Sequence, residues 1–399
     1  MSGEMNPIEL PAGRTCPFDP PADYARLRRE HPVARIRLPD GGPGWLVTRF
    51  AQAREILADA RFGSSLIQVS PRGREAFTGE ELEPPPGNFA ALDPPEHTRY
   101  RRLVAGEFTV RRMNRLASRI ELLVEEHLEA LRSRGNTADL VGDFALPLSA
   151  RVIFELLGVP AARQDAFKKV AFEALSIASD VASQRDAFAR LHEDMRELVR
   201  AEQAGTADGV LGGLGRADPP LTVEEIANIG VLLLVTGQET TSAMVALSVF
   251  ALLRHPGQLE ALRAEPGLIG DAVEELLRYL SIVQFGLTRI ALEDVDFAGH
   301  LVRAGERVIV SVASGNRDAA VFADADRLDV RRARSPHLAF GFGVHQCLGA
   351  QLARTVLRLT LTALLRRLPG LRLAGSEQDV SLRSDAIIYG VDTLPVAWE

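Results

Sequence analysis

From Thr222 to His255 the chain keeps apolar residues at helical spacing without a break, and this run limits the fold more than any other feature. Thr222 with Glu225 three residues on is a capping box, and His255-Pro256 is a stop signal. A helix of roughly thirty residues is about 45 Å long, enough to cross a molecule of this size. Shorter helical runs cover 116–131, 145–157, 163–175, 185–202, 256–263, 269–280 and 348–368. Strand-like pieces are few. Residues 33–38 and 44–48 read as a hairpin across Pro39-Asp40-Gly41-Gly42-Pro43, 296–303 with 307–311 as a second, and 387–391 as the completion of a small sheet. The expected class is mainly α (α+β), a large helical body with small peripheral antiparallel sheets.

Two stretches, 64–93 and 204–220, read as loops. The glycines at 209–215 are no phosphate loop, because no Lys-Ser/Thr follows them and no strand precedes them. Neither stretch parts two self-sufficient cores and there are no internal repeats, so a single domain over 1–399 is expected. The formal net charge of −7 argues against nucleic acid as a partner. Cys16 and Cys347 form no disulfide framework or zinc spacing, which suits a reducing, cytoplasmic setting. Residues 1–21 lack a charged-then-apolar leader pattern, and the most apolar window, 229–235, is too short to span a bilayer. A soluble enzyme away from membranes is expected.

Phe340-Gly341-Phe342-Gly343-Val344-His345-Gln346-Cys347-Leu348-Gly349 carries the chemistry. A lone cysteine is ordinarily a small buried hydrophobe. Here it stands directly before a helical run, where free backbone N–H groups and the helix dipole favour a thiolate. The glycines permit sharp turns and close approach to a flat ligand, while Phe340 and Phe342 are placed to shield the sulfur. These are the needs of an axial thiolate on haem iron. The stretch closely resembles the haem-binding loop of the cytochrome P-450 superfamily, Phe-Gly-x-Gly-x-His-x-Cys-x-Gly, at every fixed position.

Three further motifs carry the resemblance. Asp93-Pro94-Pro95-Glu96-His97-Thr98-Arg99-Tyr100-Arg101-Arg102 opens a helix with His97 and Arg101 on one face, by themselves no more than a solvated basic start. The resemblance makes them partners of the haem propionates, completed by Arg289 and His345, with Phe340, Gly341 and Gly349 also against the cofactor. Val235-Thr236-Gly237-Gln238-Glu239-Thr240-Thr241 lies mid-way along the long helix, where Gly costs about 1 kcal/mol and a threonine hydroxyl competes with the backbone, opening a kink or bulge. Taken alone, its polar groups equally suit solvent or one another. The resemblance makes Glu239 and Thr240 the proton-delivering pair, although Thr236 replaces the family's small residue and Gln238 stands where many bacterial relatives have His. Glu275 and Arg278 at i, i+3 are within salt-bridge reach, a pairing that is usually exposed and worth ~0.3–0.5 kcal/mol. In the family this pair is buried and joined by a downstream arginine, which the match of Asp324-Ala325-Asp326-Arg327-Leu328 makes Arg327.

The resemblance spans essentially the whole chain, and Asn316-Arg317-Asp318 adds to its likeness to soluble actinobacterial members acting on natural products. It implies haem b (iron protoporphyrin IX) held by Cys347 between the long helix and the cysteine loop, with O2 as co-substrate. One oxygen atom enters a hydrophobic small molecule of polyketide, terpenoid or peptide origin. The chain has no dinucleotide fingerprint, and the resemblance implies electrons from a ferredoxin and its NAD(P)H-dependent reductase, and a monomer. Arg111, Arg112 and Arg115 read either as a docking patch or as solvated charges. The pocket is expected from 64–93, Leu233, Leu234, Gly237, Val283, Phe285, Leu287, Ile387 and Ile388. Competing readings are a peroxide-driven peroxygenase, a ring-coupling haem enzyme, a haem sensor or carrier, and a helical scaffold without haem.

Overall fold

The computed structural model describes residues 7–38, 41–64, 84–175, 181–203 and 209–399. These fall into two compact units, neither of them one stretch of chain. One holds the described residues of Met1–Gly79, Asn136–Val141 and Ala243–Glu399; the other holds those of Glu80–Gly135 and Gly142–Ser242. A reading that looks for linkers cannot see such interleaving, which is why the sequence suggests one undivided domain.

The unit of Glu80–Gly135 and Gly142–Ser242 is helical. Its main helices are Glu96–Gly106, Val110–Arg132, Leu146–Leu157, Ala161–Leu175 and Val181–Gln203. The helix Val223–Arg254 begins in it. Thr222 and Glu225 form the expected box: Thr222 N–H donates to Glu225 Oε2 at 2.7 Å, and Glu225 N–H to Thr222 Oγ1 at 3.2 Å. In the stretch expected as loop, Val210–Leu214 makes a short buried helical turn. Gly209 is required there, because a Cβ would lie 2.1 Å from the Leu157 carbonyl oxygen.

The other unit carries the sheets and the helices Asp23–Glu30, Phe50–Ala58, Pro256–Ala264, Ile269–Leu280 and Ala350–Arg367. Val33–Arg37 and Pro43–Val47 pair as the expected antiparallel hairpin. They lie within a six-stranded sheet ordered Ile8–Glu9, Val33–Arg37, Pro43–Val47, Arg307–Val310, Leu287–Ala291, Phe62–Ser64, in which the first and third pairings are parallel. The second expected hairpin forms differently. Val295–Phe297 folds back on His300–Val302, because Ala298 and Gly299 both take positive φ and close a tight turn. Arg307–Val310 is thereby left to pair with Leu287–Ala291 and Pro43–Val47. Gly390–Thr393 pairs with Ser381–Arg383.

Among the described residues, Val223–Arg254 is the one helix long and apolar enough to cross a membrane; 56% of its apolar window is buried, as in a core helix.

Thr222→Ala removes the side-chain cap and is expected to lower stability by about 1 kcal/mol in denaturant unfolding. An unchanged midpoint would mean that the box contributes nothing.

Candidate active site

Cys347 lies two residues before Gly349, the N-cap of Ala350–Arg367, and is exposed. Its N–H donates to the Phe340 carbonyl at 2.8 Å, closing the loop on itself. Gly341 N–H donates to Leu338 O at 2.8 Å, and Gln346 N–H to Gly343 O at 3.0 Å. Gly343 has φ +76°, and a Cβ there would stand 2.2 Å from the Leu57 carbonyl oxygen, so no other residue fits. Phe342 packs on the core of the same unit, with the Arg54 guanidinium 4.2 Å from its ring centre. The loop is rigid on one side and presents its sulfur on the other.

A buried ion pair anchors the segment that leads into it. Arg278 Nε and Nη2 donate to the two Glu275 oxygens, each at 2.8 Å, with both side chains 2% exposed or less. Glu275 also accepts Asp329 N–H at 2.9 Å. Arg278 Nη1 donates to the carbonyls of Asn316 and Ala325, each at 2.8 Å. The pair is therefore as buried as expected, but its third member is not Arg327. That side chain is 64% exposed and faces Asp329 at 3.6 Å, whereas Arg332 Nε stands 3.0 Å from Glu275 Oε2. Arg327 contributes only its carbonyl, which accepts from Arg278 and Arg332. The segment is irregular, so no repeat in the sequence marks which arginine turns inward.

Asn316 carries the hub forward to the loop: its Oδ1 accepts Leu338 N–H at 2.7 Å and its Nδ2 donates to Ser281 at 2.9 Å. Arg317 stacks 4.0 Å from the Tyr279 ring centre, and Asp318 accepts Phe50 N–H at 3.0 Å. All three are buried. The sequence shows them as a family phrase without revealing this work.

Arg289 is buried in Leu287–Ala291, donating to Thr288 O at 2.9 Å, and His345 is half-buried in the short turn Gly343–His345. Phe340, Gly341 and Gly349 are half-buried. Val283 bridges Ile388, and Gln284 N–H donates to Ile387 O at 3.0 Å. Arg14 tightens this bridge, with Nε donating to Gln284 at 3.1 Å and its guanidinium 3.9 Å from the Tyr389 ring centre. Val283, Leu287, Ile387 and Ile388 keep some open surface, while Phe285 is buried.

In the helical unit, His97 is buried on Glu96–Gly106, with its ring 6.5 Å from that of Phe89, and Arg101 is half-buried one turn on. Glu225 fastens this helix, accepting from Tyr100 at 2.7 Å and from Arg99 at 3.0 Å. Burial alone would raise the Glu225 pKa, yet hydrogen bonds from Thr222 and Tyr100 and the Arg99 charge hold it below the usual value. The Tyr100 phenol is pushed up by burial and by its bond to that carboxylate.

Glu239 and Thr240 are half-buried on Val223–Arg254, which runs through them without the expected bulge. The Thr240 hydroxyl donates to Thr236 O at 2.6 Å, and that of Thr236 to Leu232 O at 2.7 Å. Each hydroxyl takes a second lone pair of its carbonyl, so the backbone ladder stays intact. At Gly237 an added Cβ would stand 2.4 Å from the terminal Ile153 Cδ1, which would have to shift. Leu233 keeps open surface. Leu234 has none, which leaves it no face to offer a ligand and makes it a core residue. Of the expected loop 64–93, residues 65–83 lie outside the described residues.

Chemically, the loop unit offers one exposed sulfur at a helix mouth, a buried guanidinium and a half-buried imidazole. Among the described residues no group of three His, Cys, Asp or Glu is placed to hold a bare ion. A single sulfur donor suits a metal whose remaining ligands come from a cofactor, and the basic groups suit that cofactor's acidic arms. The residues present fit haem.

A family model described as Cytochrome P-450 matches residues 178–369. Cytochrome P-450 105C1 of a Streptomyces species is 46% identical over 98% of this chain and 99% of its own length. The 20-oxo-5-O-mycaminosyltylactone 23-monooxygenase of Streptomyces fradiae is 40% identical over 98% of this chain and 92% of its own. Among solved structures, CYP105P1 in complex with filipin I matches with a TM-score of 0.92 at 38% identity, covering 99% of both chains.

Two outcomes are expected. Arg332→Ala removes a largely buried charge that faces Glu275 and is expected to cost about 1–3 kcal/mol of stability, while Arg327→Ala stays within ~0.5 kcal/mol; denaturant unfolding of both decides between them. A second test concerns Glu274, which neighbours the pair. Burial would raise its pKa, but hydrogen bonds from His337 and Arg354 and the Arg354 charge hold it at about 2 against the usual 4.5. Its stabilising contribution is present above the usual value and is lost as pH falls toward the folded one. Acid unfolding followed between these limits is expected to flatten in Glu274→Gln.

Proposed function

The chain belongs to the cytochrome P-450 family, a haem- and O2-using monooxygenase group, and on that premise we propose that Cys347 is the axial thiolate of haem b in a natural-product oxygenase. The observation that carries this reading is the exposed Cys347 sulfur at a helix N-terminus, on a loop whose Gly343 admits no side chain. When bound, haem supplies O2 binding and its reductive activation. The protein's own groups hold, orient and shield.

The N-terminal N–H groups of Ala350–Arg367, which begins three residues after Cys347, favour a thiolate there. Arg289 and His345, with His97 and Arg101, take the propionates; Phe340, Gly341 and Gly349 lie against the ring. Arginine suits this task because its planar fork meets a carboxylate with two bonds. Glu239 and Thr240 move protons. The Thr240 hydrogen is committed to the Thr236 carbonyl at 2.6 Å, so its oxygen meets the reacting side as an acceptor and donates only after rotating. Val283, Leu287, Ile387, Ile388, Leu233 and Gly237 supply a largely aliphatic wall that binds by burial and excludes water.

The tylactone derivative in one relative's name and the filipin I complex of another support a natural-product substrate, hydroxylated or epoxidised. Electrons come from a ferredoxin and its NAD(P)H-dependent reductase, and the enzyme works as a cytoplasmic monomer in which 1–399 form one haem-binding domain. The intact acid–alcohol pair favours the O2 route over a peroxide-driven one.

The deciding experiment is the carbon-monoxide difference spectrum of the reduced protein. A strongly red-shifted Soret band is expected, and Cys347→Ser abolishes it or loses haem; a band that survives the substitution refutes the ligand. In turnover with ferredoxin, reductase and NAD(P)H, Thr240→Ala is expected to retain haem while forming less product per NAD(P)H and more hydrogen peroxide. Activity with peroxide alone would favour the peroxygenase.

A further inference from the structure

Glu274 stands beside Glu275 on Ile269–Leu280 but serves a different set of partners. Arg354, on Ala350–Arg367, grips it with a planar fork: Nε donates to Oε1 at 2.7 Å and Nη2 to Oε2 at 2.9 Å. His337 Nε2 lies 3.1 Å from Oε2. The backbone N–H of Ala339 points at His337 Nδ1 at 3.2 Å, which makes Nδ1 the acceptor and assigns the ring proton to Nε2. Glu274 thus receives three hydrogen bonds from two side chains, with its own side chain only 16% exposed.

Both partners enclose one ring. The Arg354 guanidinium carbon is 4.6 Å from the centre of Phe340, and the His337 ring centre is 6.1 Å from it. The Phe340 carbonyl in turn accepts the Cys347 N–H at 2.8 Å. A short chain of directed contacts therefore leads from one carboxylate to the backbone that carries the sulfur. Remove the carboxylate, and Arg354 loses both acceptors that fix its plane while His337 loses the acceptor that fixes its rotation.

We propose that Glu274, acting through Arg354 and His337, is a positioning residue that fixes Phe340 and with it the Cys347 backbone and sulfur. This rests on Cys347 being the haem ligand. A merely structural carboxylate would fasten two helices and affect unfolding alone. A positioning carboxylate also governs how firmly the sulfur stays on iron in the folded protein.

The test uses haem-loaded wild type, Glu274→Gln and Arg354→Lys. Arg354→Lys keeps the charge pair but loses the flat stack on Phe340, and it carries the test should Glu274→Gln not fold. In mild denaturant, well below the unfolding midpoint of each protein, both variants are expected to lose the red-shifted carbon-monoxide band about tenfold faster than wild type. Their haem reduction potentials shift in the same sense as each other. Variants that unfold more easily but keep the wild-type band lifetime and potential would overturn the proposal, leaving the ligand assignment standing. A wild-type protein without the band would overturn both.

Discussion

The bidentate bond between Glu275 and Arg278 is the interaction on which the loop unit depends. Two charges with almost no exposure to water cost several kcal/mol to bury, and their mutual attraction offsets this only if every remaining donor and acceptor is met. Here they are met by Asp329 N–H and by the carbonyls of Asn316, Ala325 and Arg327, with the Arg332 guanidinium 3.0 Å from Glu275 as a further charge. The consequence is geometric. An irregular stretch between 316 and 332 is pinned to Ile269–Leu280, and Asn316 passes that constraint to Leu338, at the base of the cysteine loop. The Cys347 loop is thus braced through backbone several residues from the sulfur.

Much of this was legible because it is local. The capping box at Thr222, the helical periodicities, the glycine pattern around Cys347 and the Glu275–Arg278 spacing all express their physics within a few residues. What resisted reading was non-local or irregular. Arg327 and Arg332 lie in one loop with no repeat to tell inward from outward, and only the folded backbone turns Arg332 to Glu275. The pairing of Arg307–Val310 with distant Pro43–Val47 leaves no mark in either segment. Helices Asp23–Glu30 and Phe50–Ala58 went unread as well; neither has a side-chain cap to mark its start.

The mid-helix glycine and threonines illustrate how one pattern can hide two causes. Gly237 is where Ile153 packs, and the Thr236 and Thr240 hydroxyls rest on carbonyls of an unbroken helix. The Thr240 hydroxyl hydrogen is engaged by the Thr236 carbonyl, which leaves its oxygen as an acceptor.

The interleaving of the two units sets an order of events during synthesis. Strands Val33–Arg37 and Pro43–Val47 leave the ribosome early, yet their sheet is completed only when Leu287–Ala291 and Arg307–Val310 emerge. Every residue of the helical unit up to Ser242 is made in that interval. The first strands must wait with open edges, a state prone to aggregation. The nascent chain can therefore bury its helices before its sheet is complete.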